Sequence, residues 1–127
     1  MGETIKKKAL IVDDELNVRR LVRAILSNDY AVLEAQNGAA AVDMARGQKP
    51  DIILMDIMMP EKDGYAACHD IKADQATRNI PVVMLTAVGY ELNRQLAKQV
   101  GADGYMTKPF TKQDLLQTIG TVLKTTD

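Results

Sequence analysis

Short apolar runs alternate along the chain with segments in which apolar positions recur every three or four residues. Ala9-Leu10-Ile11-Val12 is an unbroken apolar run, the pattern of a strand buried on both faces. Val18, Leu21, Val22 and Ile25 then fall at i, i+3, i+4 and i+7, which predicts one stripe of a helix. Ala31-Val32-Leu33 predicts the second strand, and Asn37-Gly38 opens an alanine-rich second helix. Ile52-Ile53-Leu54-Met55, introduced by Pro50, is the third strand, after which Tyr65, Cys68 and Ile71 share a helical face. Pro81 to Leu85 is the fourth, followed by Leu92, Leu96 and Val100 at a spacing of four, with Gly101 as the cap. Tyr105-Met106 sits in a short fifth strand, and Leu115, Ile119 and Val122 stripe a last helix that Thr111 and Asp114 open as a capping box. Strand ends therefore fall near Val12, Ala35, Met55, Leu85 and Met106. Strands alternating with helices require a parallel sheet with helices on both faces, because each crossover is right-handed.

The polar residues that follow these runs carry the candidate chemistry, since ligands of such sheets bind at the carboxyl ends of the strands. Asp13, Asp14 and Glu15 follow the first strand, Asp56 the third, Thr86 the fourth and Lys108 the fifth. The second strand ends without a charged group of this kind, as suits an outer strand. Taken singly, Asp14 and Thr86 also read as helix caps and Lys108 as a surface charge. Asp56 differs, because it closes an apolar run and precedes Ile57-Met58-Met59, so its carboxylate needs a cation or hydrogen bonds. Three aspartates and one lysine leave a net charge of -2 at this rim. A hard divalent cation with oxygen ligands answers it, and Mg²⁺ suits carboxylates, waters and a phosphate. A metal, an ammonium, a hydroxyl and a carboxylate nucleophile together equip a site for phosphoryl transfer.

These residues resemble the receiver domains of two-component response regulators, of the single-domain kind used in chemotaxis. The resemblance covers all of residues 1–127 as one domain. It rests on Val12-Asp13-Asp14-Glu15, on Asp56-Ile57-Met58-Met59-Pro60-Glu61-Lys62-Asp63-Gly64, on Leu85-Thr86-Ala87 and on Lys108-Pro109-Phe110. The middle segment carries the family's D-x-x-M-P-x-x-D-G signature in full. The resemblance implies an α/β, three-layer, flavodoxin-like fold with a doubly wound five-stranded parallel sheet in the order 2-1-3-4-5. It implies that Asp56 accepts a phosphoryl group from a histidine kinase or phosphotransfer protein. Asp13, Asp14, Asp56 and the backbone carbonyl of Met58 would hold Mg²⁺, for which Mn²⁺ could substitute. Lys108 would pair with Asp56 and then with the phosphoryl group, Thr86 would move to another phosphoryl oxygen, and Tyr105 would turn inward. The bond before Pro109 is expected to be cis. A downstream protein target would read the face made by helix 4, strand 5 and helix 5, and a phosphorylation-dependent dimer is compatible with it. Met58 and Val88 occupy positions where the family sets its rate of self-dephosphorylation; both are apolar, which implies a slow decay.

Composition narrows the setting. With 127 residues and 14.0 kDa the chain can bury a single core. Sixteen Lys+Arg against seventeen Asp+Glu leave a net charge of -1, no footprint for nucleic acid or a membrane surface. The single cysteine, Cys68, excludes an internal disulfide and a cysteine zinc cluster and suits the cytoplasm. Cys68 is expected to be a packed thiol and His69 a surface or packing residue. Lys6-Lys7-Lys8 reads as a solvated lead-in, no apolar run is long enough for a signal peptide or a span, and Lys6 stands where a myristoylation motif needs Ser or Thr. Two rival functions remain in view. A phosphatase of the haloacid-dehalogenase type needs a second carboxylate where Met58 stands, and a nucleotide or flavin module lacks its glycine-rich loop here. The reading is therefore a phosphoprotein switch rather than a turnover enzyme, either a complete single-domain messenger or a segment of a longer regulator or hybrid kinase.

Overall fold

The buried runs form β1 (Lys7–Val12), β2 (Tyr30–Ala35), β3 (Ile52–Asp56), β4 (Val82–Ala87) and β5 (Gly104–Lys108). They alternate with α1 (Leu16–Leu26), α2 (Gly38–Gln48), α3 (Gly64–Ala73), α4 (Glu91–Gln99) and α5 (Lys112–Thr126). The computed structural model describes residues 5–87 and 91–126, with the side chains of 91–93 and 125–126 excepted. All four strand pairings are parallel, in the order β2-β1-β3-β4-β5. This is the doubly wound sheet the alternation requires, and β2 lies at an edge as its uncharged end suggested.

Because strand side chains alternate between faces, the sheet supports two cores. Leu10, Val12, Ile53, Met55, Val82 and Met84 pack against α2, α3 and α4 through Ala41, Ala45, Ala67, Cys68, Ile71 and Ala97. On the other face Ile11, Leu54, Val83, Leu85 and Met106 meet Val22 and Leu26 of α1 and Leu115, Ile119 and Val122 of α5. The stripes expected in α3 and α5 are thus buried, except that Tyr65 of α3 is half-buried. In α4 the buried residue is Ala97, with Leu96 and Val100 half-buried, and the Leu92 side chain lies outside the described residues. In α1 the stripe is turned: Arg19, Val22 and Leu26 are buried, while Leu21 is 47% exposed beside Pro109 and Phe110.

Three strands run one or two residues further than their apolar runs. β3, β4 and β5 end at Asp56, Ala87 and Lys108, because main-chain pairing continues under polar side chains. Pro81 stays outside β4, and its carbonyl accepts from Ile53 N–H at 2.9 Å. The lysines at the start are a solvated lead-in only in part: Lys6 and Lys7 are exposed, and Lys8 is half-buried. Lys7 and Lys8 belong to β1, Lys6 Nζ donates to Ser27 O at 3.0 Å, and Lys8 Nζ donates to Gln48 O at 2.9 Å.

The helix ends follow their local chemistry. Asn37 and Asp63 cap α2 and α3 by accepting from Ala40 N–H and Ala66 N–H, both at 2.8 Å. Thr111 and Asp114 bond reciprocally at 3.0 Å, a capping box. Gly101, at φ 89°, turns the chain out of α4 so that Ala102 N–H reaches Ala97 O. Gly64 opens α3 against the end of β3, where a Cβ would collide with the Asp56 carbonyl oxygen. We expect Gly64→Ala to lower stability by about 1–3 kcal/mol. Gly120, in α5, has open space around its Cβ position, so Gly120→Ala should raise stability by about 0.5–1 kcal/mol. Urea midpoints in the opposite order would contradict this packing.

Candidate functional site

The carboxyl edge of the sheet gathers the polar strand ends. β1 and β4 flank β3, so Asp13 and Thr86 stand on either side of Asp56. Lys108 begins on β5, two strand spacings from β3, roughly 9.5 Å away. Only a long side chain spans that gap. Its Nζ donates to Asp13 Oδ2 at 2.7 Å and lies 3.5 Å from Asp56 Oδ1. The expected pairing with Asp56 is therefore the longer of two contacts, and Asp13 takes the shorter one. Asp56 and Lys108 share the strand face that leads toward α1 and α5; Thr86 follows Val82 and Met84 on the other face, as does Tyr105.

Asp13 is fully buried, Asp56 is 6% exposed and Thr86 is 2% exposed, whereas Asp14 and Glu15 face solvent. Asp13 is held on every side. Its N–H donates to Ala35 O at 3.1 Å, and its Oδ1 accepts from Glu15 N–H at 2.9 Å. Asp14 does not cap α1, whose N-cap is Glu15 with no side-chain bond. Thr86 belongs to β4 and lies five residues before α4, so neither residue has the bland capping role. Carboxylate oxygens of Asp13, Asp14 and Glu15 all lie within 4.8 Å of one another. Glu15 thus joins the acidic rim beside the expected pair, a position its place in the Asp-Asp-Glu run already suggested.

Electrostatics follow from this crowding. Burial, and then the Asp13 charge, push the Asp56 carboxyl from 3.8 up to about 6, against the pull of Lys108 and of the Met58 main-chain hydrogen bond. Burial opposes the Lys108 charge, yet the Asp13 hydrogen bond and the charges of Asp56 and Asp13 hold its pKa above the ordinary value. Oxygen-only donors, close spacing and surplus negative charge fit a hard divalent cation such as Mg²⁺. Met58 meets Asp56 through its main chain, while its side chain is 74% exposed. Val88 lies outside the described residues. Tyr105 is half-buried, with the Arg94 guanidinium 5.2 Å from its ring centroid, within cation–π range. The Lys108-Pro109 bond is cis, as expected.

An apolar groove of about 410 Å³ opens beside Lys108, lined by Val18, Leu21, Ala87, Pro109 and Phe110 together with Glu15. Cys68 and His69 occupy the packed and surface places expected of them. Cys68 is buried, its Sγ 3.6 Å from Val100 O, and burial pushes the thiol up to about 11. His69 is exposed beside Asp70, at 3.5 Å.

A doubly wound α/β sheet with a buried aspartate, an acidic loop and a lysine along its carboxyl edge belongs to a class of fold that binds its ligands at that edge. The comparisons make that class specific. A response regulator receiver domain model matches residues 9–120. The chemotaxis protein CheY of Halobacterium salinarum is 42% identical over 118 residues, 92% of this chain and 97% of that protein. A probable transcriptional regulator, ycf27, of Guillardia theta is 39% identical over 123 residues, 96% of this chain and 47% of its own length. The chain spans about half the length of several such curated relatives. Among solved structures, a putative response regulator from Chloroflexus aurantiacus superposes with a TM-score of 0.90 at 30% identity, covering 94% of this chain and 99% of that one. Chemotaxis protein CheY4 of Vibrio cholerae gives 0.88 at 31% identity, covering 93% and 99%. The chain belongs to the response regulator receiver family, whose members generally take phosphoryl groups from histidine kinases and bind Mg²⁺ in an acidic pocket. Among the described residues no helix is long and apolar enough to cross a membrane.

The Asp56 environment sets a pH dependence. Its folded pKa, about 6, lies above the unfolded 3.8, so folding favours the protonated form. In metal-free protein the resulting destabilisation is absent below about pH 4, grows as the pH rises through 6, and is constant above. In EDTA, Asp56→Asn should therefore match the parent near pH 4 and exceed its stability by about 1–3 kcal/mol at neutral pH. A gap that does not open with pH would contradict the crowding.

Proposed function

We propose that this chain, read as one receiver domain over residues 1–127, is a phosphoacceptor switch in a two-component phosphorelay. Asp56 is the acceptor. Its carboxylate oxygen attacks the phosphorus of a phosphohistidine on a sensor kinase or phosphotransfer protein; a P–O bond forms, and the P–N bond breaks as the imidazole leaves. The observation that carries this reading is Lys108 Nζ standing between Asp13 and Asp56, at 2.7 and 3.5 Å. An ammonium there is placed to follow the phosphoryl oxygens as charge moves onto Asp56. Asp13 and Asp14, with Asp56 and the Met58 carbonyl, would hold Mg²⁺ or Mn²⁺. Bound there, the cation neutralises the carboxylates and the incoming phosphoryl oxygens.

The remaining residues receive roles from their positions. Phosphorylation adds charge to Asp56, and the Thr86 hydroxyl, on the neighbouring strand, moves to a phosphoryl oxygen. Tyr105 shares the Thr86 face and turns inward into the space this vacates, changing the α4–β5–α5 surface that a downstream protein target reads. A differential of about 1–3 kcal/mol between resting and active packing suffices for such coupling. Three of the four large hydrophobic residues exposed among the described ones, Leu16, Leu21 and Met58, border the acidic rim, which suits a protein as phosphoryl donor. Nothing in the net charge favours nucleic acid, and one buried, unpaired cysteine is in keeping with a cytoplasmic setting.

Self-dephosphorylation should be slow, because the exposed Met58 side chain has no group to orient an attacking water. With acetyl phosphate and Mg²⁺ we expect one phosphoryl group per chain and no sustained release of product from p-nitrophenyl phosphate. Continuing turnover would instead make the protein a phosphatase. Met58→Asn should shorten the phosphorylated lifetime severalfold, followed by Phos-tag electrophoresis after donor removal. An unchanged lifetime would contradict the role given to Met58.

A further inference from the structure

One buried charge has no part in the scheme above. Arg19 lies at i, i+3 and i+7 with Val22 and Leu26, in the place of an apolar residue on the inner face of α1. Its side chain is 9% exposed. A guanidinium so placed is costly unless its donors are matched, and they are matched to two separate elements. Nε donates to Glu34 Oε1 of β2 at 2.9 Å, and Nη1 donates to the main-chain carbonyl of Asp13 at 2.7 Å. Arg23 also grips Glu34, at 2.7–2.8 Å, and its further donor goes to Val32 O. The Arg23 hydrogen bond, and less strongly that of Arg19, keep the Glu34 carboxyl below its ordinary range against the effect of burial. Glu34 is thus an anchored anion, and Arg19 connects that anchor to the acidic loop.

We propose that Arg19 is a positioning residue for the acidic site: anchored on Glu34, its guanidinium fixes the Asp13 carbonyl and with it the carboxylates that hold the divalent cation. This rests on the cation site proposed above. Asp13 is pinned to the edge strand twice, directly through its N–H on Ala35 O and indirectly through Arg19 and Glu34. The N-cap of α1 contributes no side-chain bond of its own, and Arg19 ties the loop that enters the helix through its hydrogen bond to the Asp13 carbonyl. Residues outside the ligand shell that orient ligands typically change metal affinity by about 10–100-fold.

Arg23 is the internal control, since it shares Glu34 but has no bond to Asp13. Mg²⁺ is titrated calorimetrically into the EDTA-stripped full chain, and amide exchange at Glu15, whose N–H reports on the Asp13 carboxylate, is read without metal. Arg19→Met should raise the Mg²⁺ dissociation constant about tenfold and speed Glu15 exchange. Arg23→Met should leave both within about twofold, even where it lowers the unfolding midpoint. Parent-like Mg²⁺ affinity in Arg19→Met, or equal weakening in Arg23→Met, overturns the proposal. Should Arg19→Met fail to fold, Arg19→Lys carries the same comparison: one ammonium cannot reproduce the two-armed bridge, so it must still bind Mg²⁺ more weakly than Arg23→Met, and equality overturns the proposal. Failure of the unsubstituted protein to bind Mg²⁺ would overturn the cation site itself.

Discussion

Two carboxylates and one ammonium share a water-poor rim, and the rest of the structure arranges itself around that constraint. Asp13 and Asp56 are almost wholly buried at the ends of neighbouring strands. Neither can relax into solvent, because the strands carrying them are sealed between two helical layers. Lys108 reaches over β4 to meet both, and it removes only part of the excess charge. Burial, and then the Asp13 charge that Lys108 leaves unrelieved, push the Asp56 carboxyl up to about 6. On the reading proposed above, a site that stores electrostatic cost in this way would be ready for a cation and, with it, a phosphoryl group. On the proposed reading the cost is part of the function.

On the proposed reading, the same sheet separates chemistry from response. Asp56 and Lys108 extend the face that packs on α1 and α5, whereas Thr86 and Tyr105 lie on the face covered by α4. On that reading, a change at Asp56 would pass through Thr86 to the other side of the sheet in one strand spacing. At the far end, Arg94 over the Tyr105 ring is a weak, exposed contact, worth about 0.5–1 kcal/mol.

Most of the architecture is legible in the order of residues, for a physical reason. Strands buried on both faces must read as apolar runs, and helices covering them must read as stripes, so five of each were recoverable with their order along the chain. The rim was legible because a polar residue closing an apolar run, as Asp56 does, has few structural excuses. What escaped depended on rotation and reach. The inner face of α1 includes Arg19 and excludes Leu21, since a charged residue serves there as well as an apolar one when Glu34 and the Asp13 carbonyl await it. That partnership spans 15 residues in one direction and 6 in the other. Likewise the preference of Lys108 for Asp13 over Asp56 is a matter of tenths of an ångström in side-chain reach, on which periodicity is silent. Lys6 is exposed, as the sequence suggests, but its Nζ and that of Lys8 also reach carbonyls at Ser27 and Gln48, partners on which periodicity is silent.

The most direct test asks where a phosphoryl group lands. The full chain is incubated with a small acyl phosphate with and without Mg²⁺, reduced with borohydride, and its peptides are mapped by mass spectrometry. Modification confined to Asp56 and dependent on Mg²⁺ is the result that this arrangement of strand ends requires. Modification of another residue, or labelling of Asp56 that is indifferent to the cation, would contradict it.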